Sequence, residues 1–465
     1  MPAVSTVNRL AAVDIMTRMA ADPLSAGPIM VRRYGHAIKL PSTPGRKRSS
    51  ATYVFSTSAW AEQVLKNDRV FATRSVVLRA NGRSLHDQIR LGYFSLYGDR
   101  HLHYLNLIGK FFSRRRVEQT GERMCEIVAQ ELDRWPDDGT DFDVTEEIAI
   151  VMRKLAVGCI FDHPDDQLGL EAAEQSEKHG RLAGFTLPNY MAARFGARFG
   201  AGVHGQANKT AALLNAWARS TLDQPADANL LAALAKSPPP PGEPSSDLRL
   251  SAMLWTLLGA AFDTSVSITS TLLVLLARHP DVARKLDDEL QAAGDGIERD
   301  LTRLMKLPYL DAVVKEALRL VPPAPYQHRR VEFAAQVGSV QFNRADRVYL
   351  NAWAINRDPS IYKNPEHFDP DRWFAISPSP YQFLSFSGGP RRCIGLWFGY
   401  AFVKSVIAAM LCRWKVTFSP DARVNLKTVL TVRAADGLLI GLSSRDGAFT
   451  RSDLKGNFKR YLPAC

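Results

Sequence analysis

Ten residues carry the strongest chemical signal in this chain: Phe386-Ser-Gly-Gly-Pro-Arg-Arg-Cys393-Ile-Gly395, followed by an apolar run from Leu396 to Leu411. Glycines let a backbone approach a flat cofactor closely, and a cysteine placed where such a loop enters a helix gains amide donors and the positive helix end. Both effects favour thiolate, the form that binds metal, over thiol. An isolated cysteine is usually a buried structural residue, and it is the glycine-rich context that argues otherwise here. A second grouping is Glu316-Ala-Leu-Arg319, in a helical segment from Leu310 to Leu320 that Pro308 introduces. A spacing of three sets both charges on one helix face. Glu131-Leu-Asp-Arg134 has the same spacing and reads as a solvated surface pair, so spacing alone decides nothing. A third grouping, Ala260-Ala261-Phe262-Asp263-Thr264-Ser265, sets a carboxylate beside a hydroxyl within a long apolar segment. Such a pair can relay protons, although buried Ser and Thr often only bond back to the preceding turn.

Taken together these residues resemble the cytochrome P450 family. Phe386, Gly389, Arg391, Cys393 and Gly395 match all five defining positions of its haem-binding loop, and Phe368-Asp-Pro-Asp-Arg372-Trp373 is similar to its second-arginine motif, with Glu316 and Arg319 at the usual distance upstream. The resemblance implies haem b (iron protoporphyrin IX) with Cys393 as axial thiolate, Phe386 packed beside the sulfur and Arg391 paired with a propionate. It implies that Glu316, Arg319 and Arg372 form a buried charge network, and that Asp263 and Thr264 deliver protons. His101 and Arg330 (or its neighbour Arg329) are further propionate candidates, although Leu105 stands where the family often has arginine. Ala261 replaces a common glycine, which weakens the expected helix distortion. Substrate contacts are expected from Ala260, Phe262 and Pro325 and from the segments Val76 to Phe94 and Phe185 to Phe199, with Arg79, Arg83, His86 and Arg90 as a candidate anion site.

The implied function is a haem-thiolate monooxygenase acting on a mostly apolar terpenoid, steroid, fatty acid or aromatic metabolite of secondary metabolism. The competing readings are an isomerase, dehydratase or peroxygenase that does not activate dioxygen, or a non-catalytic haem sensor, and the Asp263-Thr264 pair argues against these. With no flavin or iron–sulfur motif, electrons are expected from a separate ferredoxin or flavodoxin and its reductase, docking on Arg392 and Arg114 to Arg116.

The elements that must position these residues are mainly α-helical. Apolar residues recur at helical spacing at Met124, Ile127, Val128 and Leu132, and at Val282, Leu286 and Leu290. Short strands are predicted over Thr52 to Phe55, Arg347 to Leu350, Lys415 to Phe418 and Leu438 to Leu442. The prolines between Ser237 and Pro244 forbid helix, and Ser245, Ser246 and Asp247 offer N-caps for a long helix that ends before His279-Pro280. This central helix is apolar enough for a membrane span, but Asp263 and its many hydroxyls favour burial in protein. The expected architecture is the cytochrome P450 fold, with haem between this helix and the cysteine-loop helix.

At 465 residues with 46% hydrophobic content, and without a linker, one domain over 1–465 is expected. Five scattered cysteines suggest neither a disulfide framework nor a zinc site. Arg9, Asp14 and Arg18 interrupt the apolar runs near the start, so a surface helix is expected there, and a soluble, cytoplasmic, bacterial-type member. The net charge of +12 is spread along the chain with no DNA- or RNA-binding signature, so an acidic protein partner is expected and nucleic acid is not.

Overall fold

The computed structural model describes the chain apart from residues 42–49, 74–91, 163–165, 183–196, 222, 226–227, 240–246, 421, 429–430 and 463–465. Helix N-caps are set where polar side chains can close the first turn: Asn8 begins α1 (Arg9–Ala21), Asp22 begins α2 (Pro23–Tyr34) and Thr57 begins α3 (Ser58–Lys66). The principal helices that follow are α4 (Gly98–Ile108), α5 (Gly121–Leu132), α6 (Val144–Leu155), α7 (Gln167–Leu182), α8 (Ala197–Arg219), α9 (Asp247–Arg278), α10 (Pro280–Ala292), α11 (Pro308–Leu320) and α12 (Leu396–Arg413).

The central helix α9 starts at the expected Asp247 and stops before Pro280, which begins α10 and cannot supply the amide that would continue the turn. It packs against α6, α7, α8, α11 and α12, so nearly every side chain along it meets protein. Helices α9 and α12 are both long and apolar enough to cross a membrane, yet 72% of the most apolar window of each is buried inside the protein. The main apolar core runs along these two helices, from Leu254, Leu272 and Leu275 to Phe402, Val406 and Ile407.

A six-stranded sheet flanks the helices in the order β1-β2-β3-β9-β6-β4, with β1 Ser5–Thr6, β2 Ala37–Leu40, β3 Thr52–Phe55, β4 Phe71–Ala72, β6 Tyr326–Val331 and β9 Arg347–Asn351. Strands β3 and β9 pair in parallel, with Thr52 opposite Arg347. An aromatic cluster of Tyr53, Phe55, Trp60 and Phe342 forms a second core under this sheet, where Phe55 and Trp60 stack at 4.2 Å. Three small antiparallel sheets complete the described strands: β5 Phe142–Asp143 with β10 Lys415–Phe418 and β13 Leu439–Ser443, the pair β7 Ala335–Val337 and β8 Val340–Phe342, and the hairpin β11 Leu426–Thr428 and β12 Val432–Ala434. The predicted strand over Leu438 to Leu442 lies one residue later. Strand β6 escapes the sequence pattern because Tyr-Gln-His-Arg-Arg-Val has no apolar alternation; its partners β4 and β9 create it.

Candidate active site

The cysteine loop is built by a chain of constraints that begins on α11. Glu316 and Arg319 are fully buried and pair bidentately, with Nε to Oε2 at 2.9 Å and Nη2 to Oε1 at 2.7 Å. Arg372 Nε donates to the same carboxylate at 3.0 Å, and so do Trp373 Nε1 at 2.9 Å and the Asp369 amide at 3.0 Å. Arg319 spends its remaining donors on the carbonyls of Asn356, Pro365 and His367. Asn356 then accepts from the Leu384 amide at 2.8 Å and donates to Ser385 Oγ at 2.9 Å, two residues from Phe386. Such charges are tolerable without water because each is matched by several donors or acceptors. The look-alike Glu131-Arg134 differs from its expected surface pairing: Glu131 is buried and also takes Lys154 at 2.6 Å, while Arg134 reaches solvent.

The loop itself turns on residues with left-handed backbone, Ser387 and Gly389, the latter at φ +62°. A methyl group on Gly389 would lie 2.4 Å from the Leu65 carbonyl oxygen, so the approach of α3 excludes any side chain. Cys393 donates its amide to the Phe386 carbonyl at 2.8 Å. Burial pushes the Cys393 thiol up, while the Gly395 amide and Arg392 draw it down. The residue is nevertheless accessible, as expected for a group lining an internal cleft. Phe386 sits beside it, 5.1 Å from the Tyr400 ring.

Beside this loop is a buried basic cluster. Arg391 is nearly inaccessible, donates Nη2 to the Leu96 carbonyl and keeps Nε 3.5 Å from Asp68, without a hydrogen bond among the described residues. His101 on α4 lies 3.0 Å from the Tyr93 hydroxyl and 3.8 Å from Asp68. Burial, then Arg391, holds its pKa down at about 4. Arg329 on β6 is pushed down to about 9, first by burial and then by Arg391, with Asp68 opposing. Successive strand residues face opposite ways. Arg329, not the expected Arg330, therefore shares this cluster. Asp68 and Tyr93 also belong to it, and no local sequence signal marked them.

Two buried guanidiniums and an imidazole around one carboxylate are short of negative charge, and a dianionic group fits there. The orphaned Arg391 Nε, the glycine-built approach at 389 and an accessible thiol in a dense setting together suit haem, with its propionates on Arg391, Arg329 and His101 and its iron on Cys393.

On α9 the partly exposed residues are Gly259, Ala260, Ala261, Asp263 and Thr264, a short open stretch in an otherwise buried helix. A methyl group on Gly259 would meet nothing within 4 Å. Thr264 Oγ1 and Ser265 Oγ each donate to a carbonyl one turn earlier, Ala260 and Ala261, both at 2.8 Å, and the helix runs on without a break. Asp263 accepts from Thr431 Oγ1 at 2.6 Å and pairs with Arg433 of β12, contacts that bring the hairpin onto the central helix. Phe262 departs from its expected place at a pocket: it is 1% exposed and packs in the main core. Pro325 is buried, its carbonyl accepting from the Trp353 amide. Arg79, Arg83, His86, Arg90 and most of the expected substrate segments lie outside the described residues.

Of the expected docking residues, Arg392, Arg114 and Arg115 are exposed, whereas Arg116 pairs with Asp162 at 3.0 Å. Arg114 lies over Trp397 beside a surface hollow of about 350 Å³.

Comparison with known proteins agrees with this geometry. The chain is 32% identical to human (Homo sapiens) cytochrome P450 4V2 over 197 residues, 41% of this chain and 38% of that protein. It is 31% identical to mouse (Mus musculus) cytochrome P450 3A13 over 207 residues, 43% and 41% of the two chains. The matched segments thus span about two fifths of these animal relatives, which lend no support to a soluble bacterial type. Among solved structures, retinoic acid bound cyanobacterial CYP120A1 superposes with a TM-score of 0.73 at 21% identity, over 90% of this chain and 94% of that one, so the fold is shared. The cytochrome P450 family model matches residues 47–436, from before the basic cluster to beyond Arg433. With that match and the cysteine loop in place, the chain belongs to the cytochrome P450 family, whose members carry haem on a cysteine thiolate.

Proposed function

We propose that this protein is a monooxygenase that inserts one oxygen atom from O2 into a mostly apolar small molecule, with electrons from a separate acidic donor. The observation that carries the reading is the acid-alcohol pair Asp263-Thr264 on the open stretch of α9, in a chain whose Cys393 loop is locked by the Glu316 network. When bound, haem supplies the electron transfer and dioxygen activation that no side chain can. Cys393 provides the thiolate ligand, Arg391, Arg329 and His101 hold the propionates, and Thr264 with Asp263 holds and passes protons within a helix otherwise closed to water. Ala260 and Gly259 leave room for a substrate beside that pair.

For substrate class, the apolar lining expected of the pocket is supported by the retinoic acid in the similar cyanobacterial structure, a long apolar carboxylic acid. The accessible cations Arg392 and Arg115 near the cysteine helix support a ferredoxin- or flavodoxin-type donor.

The test is the absorption spectrum of the reduced protein under carbon monoxide, beside Cys393→Ser. A strongly red-shifted Soret band that needs Cys393 is expected. Protein without haem, or with an unshifted band, refutes the reading. Substrate screening with a surrogate ferredoxin system then distinguishes oxygen insertion from isomerisation or dehydration.

A further inference from the structure

Four charges of alternating sign cross four elements beside the proton-relay position. Arg153 on α6 pairs with Glu177 on α7 at 2.5 Å; Glu177 lies 3.6 Å from Arg433 on β12; Arg433 pairs with Asp263 on α9. Glu177 is nearly inaccessible, and the whole chain is largely withdrawn from solvent. Buried charges in such a row hold one another, and their pairing geometry matters more than at a surface.

Both oxygens of Asp263 are engaged, Oδ1 by Arg433 and Oδ2 by the Thr431 hydroxyl. A carboxylate so committed cannot exchange a proton until one contact opens. Arg433 has an evident second partner, since its Nη1 faces Glu177 Oε1 while Nη2 faces Asp263. The backbone that carries it is pinned: Ser267 of α9 donates to the Val432 carbonyl, and the Val432 amide donates to Pro323 at 3.0 Å. Only the side chain is left to redistribute between the two carboxylates. Helix α7 lies across α9, with the His179 ring 5.5 Å from Trp255, so the position of α7 sets how near Glu177 comes to Arg433.

We infer that Arg433 is a positioning residue with two competing carboxylate partners, and that α7 governs through Glu177 whether Asp263 is locked or free to carry protons. With α7 seated, Glu177 draws on Arg433 and loosens its hold on Asp263. With α7 lifted, Arg433 falls wholly to Asp263 and proton transfer shuts. Turnover is thereby conditional on the closure of α7. The role given to Asp263 rests on the monooxygenase reading; the coupling of α7 to the hairpin does not.

The test uses the haem-loaded full chain and two readouts. In amide hydrogen exchange, Arg433→Ala is expected to speed exchange about tenfold in peptides from Gln167–Leu182 and 426–434 and not in α5, because Glu177 loses a partner. Unchanged exchange in α7 overturns the coupling, whatever the enzyme does. Dioxygen consumption is then followed in H2O and D2O with a surrogate ferredoxin and reductase and no organic substrate. Glu177→Gln, which keeps the shape and removes the competing charge, is expected to slow consumption about tenfold and enlarge the solvent isotope effect. In an Arg433→Ala background the same change is expected to do nothing, since the lock is gone. Equal slowing in both backgrounds overturns the proposal. Arg433→Lys keeps the charge but lacks the fork that spans two carboxylates, and it is expected to behave as Arg433→Ala in the cycle. Loss of the carbon monoxide band in the parent protein would remove the oxygenase reading and leave the exchange result standing.

Discussion

A methyl group at position 389 would meet the Leu65 carbonyl oxygen at 2.4 Å in a backbone already at φ +62°. Gly389→Ala is therefore expected to move the cysteine loop away from α3, at a cost of about 1–3 kcal/mol. The measurement is the haem content of purified protein beside its melting temperature, and normal values of both would show that the loop adapts. The charge cluster next to it makes a pH prediction. His101 titrates near 4 in the folded chain against about 6.5 unfolded, so the unfolded state binds more protons between those values. Its neutral form stabilises the fold fully above pH 6.5, and that contribution is lost as pH falls toward 4, by about 3 kcal/mol in the haem-free protein. His101→Gln should flatten this acid limb in urea titrations, and an unaltered slope would mean that other groups dominate it. At this scale the sequence was informative where several residue types recur at fixed spacing, as in the Cys393 loop. It was silent on Asp68 and Tyr93, which reach the cluster from separate segments, and it could not separate Arg329 from Arg330 without knowing which face of β6 is buried.

Elements carry the next set of constraints. Helix α11 and the short turn over Pro370–Phe374 are joined almost wholly through the Glu316 carboxylate, which takes donors from Arg319, Arg372, Trp373 and the Asp369 amide. Removing that acceptor strands two buried guanidiniums. Glu316→Ala is expected to cost roughly 3–5 kcal/mol and to release haem, while Glu131→Ala costs less because Arg134 can turn into water. Thermal melts of the two variants side by side decide this, and equal losses would deny the network its special weight. The long helices, their proline boundaries and most strand positions followed from periodicity and capping. The β11–β12 hairpin did not, because its placement depends on Ser267 and Asp263 far away in sequence. For the same reason Arg433 gave no local signal.

At the scale of the whole molecule, a charge of +12 has to be read by where it is accessible. Many basic residues are absorbed internally: Arg319 and Arg372 by Glu316, Lys404 by Asp311 at 2.8 Å, and Arg116 by Asp162. Arg115 and Arg392 remain accessible near the start of α12, the helix that Cys393 precedes, with Arg114 stacked over Trp397 beside them. A low-potential acidic donor approaching this face would be steered by charge and would arrive where the electron path to Cys393 is short. Arg115 is the cleaner probe, because Arg392 also draws down the Cys393 thiol and its reversal would disturb the metal site as well. Arg115→Glu is expected to slow second-order reduction by a ferredoxin about tenfold at low ionic strength and to flatten the dependence of that rate on salt, while leaving the carbon monoxide spectrum untouched. Stopped-flow reduction over a salt series measures both effects. A rate and salt slope matching the unaltered protein would move electron entry to another face, and the exposed arginines would then be ordinary surface charge.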